Sequence, residues 1–125
     1  MATLKIYDSI TDQEPSKVFT CYRTTMAINN KLEELTEEIS TLDKETKDLL
    51  ASITDKTSKK ELKEIKEKIK GIEVKMTSLT LDTIQLFFKD FTEDDFLKLD
   101  PYDYQTFILE IGEMRNQIYN RAAKN

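Results

Sequence analysis

The chain has 125 residues, of which 34% are charged and 38% hydrophobic, and only four are Gly or Pro. So few turn formers disfavour a β-sandwich or barrel and favour long helices. Nineteen basic against 24 acidic side chains give a net charge of −5, the wrong sign for the phosphate attraction that dominates nucleic-acid affinity.

The first 22 residues read as two short strands. Thr3-Leu4-Lys5-Ile6-Tyr7 alternates, with Leu4 and Ile6 on one face, and Val18-Phe19-Thr20-Cys21-Tyr22 is rich in β-branched and aromatic types. Between them, Asp12, Pro15 and Ser16 are turn formers, which predicts a hairpin. An isolated hairpin is marginal in water, so this one must pack on the helical part.

From Thr24 the period changes. Apolar or small residues fall at Ile28, Leu32, Leu35, Ile39, Leu42, Thr46, Leu49 and Ile53, a heptad seam with one polar member, Thr46. A second seam runs Leu62, Ile65, Ile69, Ile72, Met76, Leu79, Thr83 and Leu86. The break lies at Thr54–Thr57, and Ser58-Lys59-Lys60-Glu61 reads as a capping box opening the second helix. Folding there predicts an antiparallel pair in which Ile53 faces Leu62, Leu49 faces Ile65, Leu42 faces Ile72 and Leu35 faces Leu79. In that register Glu38 approaches Lys75 and Glu45 approaches Lys68, while Asp43 approaches Glu73 and repels it. Exposed pairs contribute only ~0–1 kcal/mol each, so apolar packing decides. At ~1.5 Å per residue the arm would extend about 45 Å.

The C-terminal third returns to globular composition. Ile84, Leu86, Phe87, Phe88 and Phe91 continue the second helix or restart it after a kink. Thr92-Glu93-Asp94-Asp95 resembles a capping box, and Asp100-Pro101 is an N-cap followed by Pro at N1. The last helix carries Tyr104, Phe107, Ile108, Ile111, Met114 and Ile118 on one face, and Arg121 and Lys124 suit its C-terminal dipole. Tyr7, Phe19 and Tyr22 lie at the start, eight aromatics lie between Phe87 and Tyr119, and none lies between them. Both ends therefore build a compact head. The expected fold is mainly α, a single domain over 1–125. It comprises an N-terminal β-hairpin (1–23), a long antiparallel helical hairpin (24–79) and C-terminal helices (80–125), an aromatic-rich head that packs with the β-hairpin.

Little in the chain suggests chemistry. Histidine is absent, so no imidazole serves as base, ligand or switch. The one cysteine, Cys21, excludes an intrachain disulfide and reads as a half-buried structural thiol. Glu93, Asp94, Asp95, Asp100 and Asp103 form the densest carboxylate cluster, but no glycine sits at the offset a calcium loop needs. Helix N-termini attract such acids anyway. Gly71 and Gly112 are solitary and form no phosphate loop. The expectation is a non-enzyme that needs neither metal nor cofactor. No apolar run approaches a membrane span and Met1 leads into polar sequence, so a soluble, cytoplasmic protein without membrane association is expected. Lys31–Asp48 carries seven acids and three lysines, whereas Lys56–Lys75 carries eight lysines and four acids. Without interleaved arginine or aromatics, the lysines read as a complement to the acidic helix rather than as a nucleic-acid surface. Phe87, Phe88, Phe91 and Phe96 cannot share one narrow stripe, so part of this set is core and part is expected to meet a partner.

In this order the elements resemble the tail assembly chaperones of long-tailed bacteriophages, particularly those of Gram-positive hosts. The likeness lies in the opening Met1–Ile6 and Lys17–Arg23 hairpin, the aromatic helix Leu81–Phe87, the Phe91–Leu97 segment and a final helix entered through Asp100. It covers about half of the chain, and the long Lys- and Glu-rich arm departs from it. The resemblance implies a non-structural virion-assembly protein, absent from the mature virion, that binds the tape measure protein and keeps it soluble. Tail tube subunits displace it as they polymerise. It admits the tube protein and further copies of this chain as additional partners. A reading from another class is a small helical regulator or adaptor that binds DNA or a host protein through its arm.

Overall fold

The computed structural model describes residues 1–124, and the side chains of residues 1–117. Among them the order is β1 (Ala2–Ile6), β2 (Lys17–Cys21), α1 (Met26–Ala51), α2 (Lys59–Phe87), α3 (Glu93–Leu97) and α4 (Pro101–Lys124). The fold is mainly helical with an N-terminal antiparallel hairpin, as the hydrophobic periods dictate. Each strand lies one residue earlier than its pattern suggests, because the register pairs Ala2 with Cys21 and Leu4 with Phe19. Ala2, Leu4 and Ile6 all point inward, with Phe19 and Cys21 beside them.

The helix boundaries follow their capping chemistry. Thr25 Oγ1 accepts from Ile28 N–H at 3.2 Å, opening α1 two residues after the period change. Ser58 Oγ accepts from Glu61 N–H at 3.1 Å and opens α2. Thr92 and Asp95 form the full reciprocal capping box at α3. Asp100 Oδ1 accepts from Tyr102 N–H at 2.8 Å ahead of Pro101. The second helix does not restart after Thr80 but continues as one element to Phe87.

Two compact units result. One comprises Met1–Asn30 and the chain from Ile84 onward; the other is Lys31–Thr83. In the first, α4 packs along β1. Leu4, Ile6, Ile84, Phe91, Phe107 and Ile111 are almost fully buried there. Phe107, Ile111 and Met114 form the buried stripe of α4, with Tyr104 and Ile108 at its margins. Ile118, Tyr119, Arg121 and Lys124 lie outside the residues whose side chains are described.

The second unit is the helical hairpin. Its seam is legible residue by residue, for Ile39, Thr46, Leu49, Ile65, Ile69 and Met76 are each half-buried between exposed neighbours, and Leu42 is half-buried next to a half-buried Asp43. Thr46 occupies its expected place and satisfies its hydroxyl on the Leu42 carbonyl at 3.1 Å. Glu38 and Lys75 line one groove of this hairpin, and Glu45 and Lys68 line another, in keeping with the antiparallel register.

Candidate functional site

The four aromatic residues singled out by sequence do not form one exposed patch. Phe91 is 1% and Phe88 7% exposed, while Phe87 and Phe96 are half-buried. Phe19 from β2 stands 5.3 Å, ring centroid to centroid, from both Phe88 and Phe91. Phe107 from α4 stands 5.5 Å from both Phe87 and Phe88. The rings are tilted or edge-on, the geometries that aromatic quadrupoles favour. The expectation of a partner surface is therefore corrected for Phe88 and Phe91, which are core. The cause is a tight turn after α2. Phe91 N–H donates to the Phe88 carbonyl at 3.1 Å, and Gln85 Nε2 donates to the Phe91 carbonyl at 2.9 Å. The chain thus doubles back and carries Phe91 inward, a turn that helical spacing could not reveal.

The same unit instead offers a groove of about 760 Å³ between the β1–β2 loop and the α3–α4 junction. Tyr7 and Ile10 line it from the loop, and Leu97, Leu99 and Pro101 from the junction. Ile10 and Leu97 are almost fully exposed, at 104% and 81%. Such residues at the mouth of a groove mark a surface able to take apolar groups. Sequence reasoning passed over both. Ile10 sits alone in a polar turn and Leu97 sits in a five-residue helix, so neither belongs to a periodic pattern. An isolated apolar residue within a turn segment was the available signal.

The rim is acidic. Asp8, Asp12, Asp100 and Asp103 face the groove together with a single cation, Lys98. Lys98 Nζ bridges the two walls by pairing with Asp8 Oδ1 at 3.1 Å. That hydrogen bond, with one from Ser16, holds the Asp8 carboxyl below its usual range. Asp103 moves the other way, raised first by burial and then by the neighbouring Asp100 charge. Asp12 Oδ2 accepts from Ser9 N–H at 3.1 Å and fixes the loop that presents Ile10.

Asp95 anchors this wall to the sheet. Its carboxylate accepts from Thr92 N–H at 3.0 Å and pairs with Lys17 Nζ of β2 at 2.9 Å. Burial alone would push its carboxyl up, but the Thr92 backbone N–H, Lys17 and the Thr92 hydroxyl together hold it down. Among the described residues, no group of three or more His, Cys, Asp or Glu side chains is placed to hold a metal ion. The Cys21 thiol is buried and donates to the Arg23 carbonyl at 3.0 Å. Burial pushes it up and keeps it protonated, so it is a poor nucleophile. Among the described residues, no helix is long and apolar enough to cross a membrane.

No protein-family description matches this chain, and comparison with characterised proteins and with solved structures gives no match either.

Proposed function

We propose that this chain is a tail assembly chaperone of a long-tailed bacteriophage, which binds apolar helical segments of the tape measure protein and keeps them soluble until tube subunits displace it. The observation that carries the reading is the groove of the first unit, with exposed Ile10 and Leu97 set in a ring of carboxylates. An amphipathic helix with basic flanks would bury its apolar face on Ile10 and Leu97 and meet Asp12, Asp100 and Asp103 with its charges. The groove walls are braced by the Lys98–Asp8 and Lys17–Asp95 pairs, which lowers the ordering cost of binding. The net charge of −5 would keep a loaded complex dispersed.

The test is co-expression with the tape measure protein that this reading requires in the same genome. Its soluble yield should rise severalfold, and Ile10→Asp with Leu97→Asp should abolish the gain while the helical spectrum is retained. An unchanged yield with the wild-type chain would overturn the reading. Retention on DNA at physiological salt would favour a regulator that uses the Lys-rich stretch of α2.

A further inference from the structure

The helical hairpin leaves one long side of its seam uncovered. Two grooves, of about 700 and 520 Å³, run end to end along this side and share Lys75. Their floor is apolar: Leu42 and Leu79 in one, Leu49 and Ile72 in the other. Only Ile72 of these four is buried; the other three are half-exposed. Two helices can bury only one stripe, whereas a heptad seam flanked by small residues can be covered on a second side by further helices. Thr41, Ser52, Gly71 and Ser78 supply those small residues at the groove edges. Nothing stands within 4 Å of the place a Cβ on Gly71 would take.

The two edges of the grooves differ in sign. The α1 edge carries Glu34, Glu37, Glu38, Glu45 and Asp48, and the α2 edge carries Lys68 and Lys75. We infer that the occupant is a second copy of this hairpin, stacked face to face about a two-fold axis parallel to the helices to make a four-helix bundle. That symmetry lays α1 of each copy antiparallel over α2 of the other. Glu38 then meets the second copy's Lys75, and Glu45 meets its Lys68. A two-fold axis perpendicular to the helices would lay α1 on α1 and oppose the two acidic rows, which costs energy. The complementary arrangement is also isologous, as homodimers require. From Glu34 to Ser52 the face is ~27 Å long, and two helices are ~20 Å wide, so the pair covers roughly 1,100 Å² in total. That reaches the ~1,000 Å² at which a specific interface becomes credible and lies just below the standard range of about 1,200–2,000 Å², among the weak and transient contacts. The bundle is therefore a reversible dimer.

Sedimentation of the full chain at increasing concentration tests this. A monomer–dimer equilibrium is expected, and a chain that stays monomeric to millimolar concentration overturns the proposal. Gly71→Trp places bulk at the groove edge without touching the seam. It should weaken the dimer at least tenfold with the helical spectrum unchanged, and a dimer indifferent to it would place the contact elsewhere. A charge swap decides the pairing. The fourfold variant Glu38→Lys/Glu45→Lys/Lys68→Glu/Lys75→Glu should dimerise with itself as the wild type does and should not pair with the wild type, because the parallel axis would then set like signs against each other on both helix pairs. Preferential pairing of that variant with the wild-type chain, both being folded, would overturn the parallel two-fold arrangement.

Discussion

The two compact units meet the same physical demand in opposite ways. In the first, residues far apart in sequence converge: Leu4 of β1, Phe19 of β2, Phe91 and Phe107 share one core, and its largest members are almost completely buried. In the second, residues close to one turn pair along a seam of which only Leu32, Leu35, Ile72 and Thr83 are buried and the rest are half-exposed. Burial of apolar area is worth about 25 cal/mol per Å², so stability concentrates in the first unit and the second remains marginal. The difference also separates the two candidate surfaces. A rigid aromatic core holds the groove walls of one unit in place, while an incompletely covered seam invites a further helix in the other.

Truncating a ring should break the comparison most sharply. Phe91→Ala removes a side chain packed edge-on against Phe19 and should cost about 3–5 kcal/mol, enough to unfold a marginal domain. Leu49→Ala, in the half-exposed seam, should cost roughly 1–2 kcal/mol. Chemical denaturation of both variants reads the contrast. Equal losses would mean that the hairpin carries as much of the stability as the aromatic core.

Asp95→Ala should follow, at about 1–2 kcal/mol, the scale of a lost helix cap. The half-exposed Lys17 pair adds little to that. The folded Asp95 carboxyl is held below its ordinary value of 3.8, so its contribution is fully present above that value. It is lost as the pH falls from there through the folded-state value. Lys17 is raised above its ordinary 10.5 by the Asp95 hydrogen bond, so its contribution is present below 10.5 and lost on rising past it. The wild-type melting temperature should therefore drop more steeply below about pH 4 than that of Asp95→Ala. Parallel acid limbs would show that the pair does not couple to folding.

Much of this was legible in the residues, because most of it is periodic or local. The heptad seams, the Thr92 capping box and the Asp100-Pro101 entry are short-range codes, and each was written in a few neighbouring residues. The strand faces followed from alternation, although their ends shifted by one residue because pairing, not propensity, sets register. The fate of the phenylalanines was not legible. Phe88 and Phe91 are buried at a turn in which the Gln85 side chain reaches the Phe91 carbonyl, a contact without a sequence period. Ile10 and Leu97 were missed for the opposite reason, since the groove they flank exists only once the β1–β2 loop meets the α3–α4 junction.

The hairpin can also be strengthened, which sharpens the comparison from the other side. Gly71 lies on α2 in open space, and Gly71→Ala should gain up to ~1 kcal/mol from helix propensity alone. Amide exchange should slow along α1 and α2 of the hairpin and stay unchanged at Leu4 and Phe107. A uniform slowing would mean that the two units open together.

Thr46→Leu gives the smallest expected effect and the most local one. Thr46 is the polar member of the α1 seam, half-buried, with its hydroxyl turned onto the Leu42 carbonyl of its own helix. That carbonyl already serves as a backbone acceptor in the helix, so losing the hydroxyl leaves no buried group unsatisfied. Leucine also favours the helix more than β-branched threonine does. The added methyl groups would cover part of the seam between Leu42 and Leu49, and half-burial limits the gain to roughly 0.5–1 kcal/mol. Because Thr46 faces the interior of the hairpin rather than its rim, the gain should persist at dilutions where any second copy has dissociated. A stabilisation seen only at high protein concentration would instead assign Thr46 to the contact between copies, and a loss would mean that the seam at this level is already full.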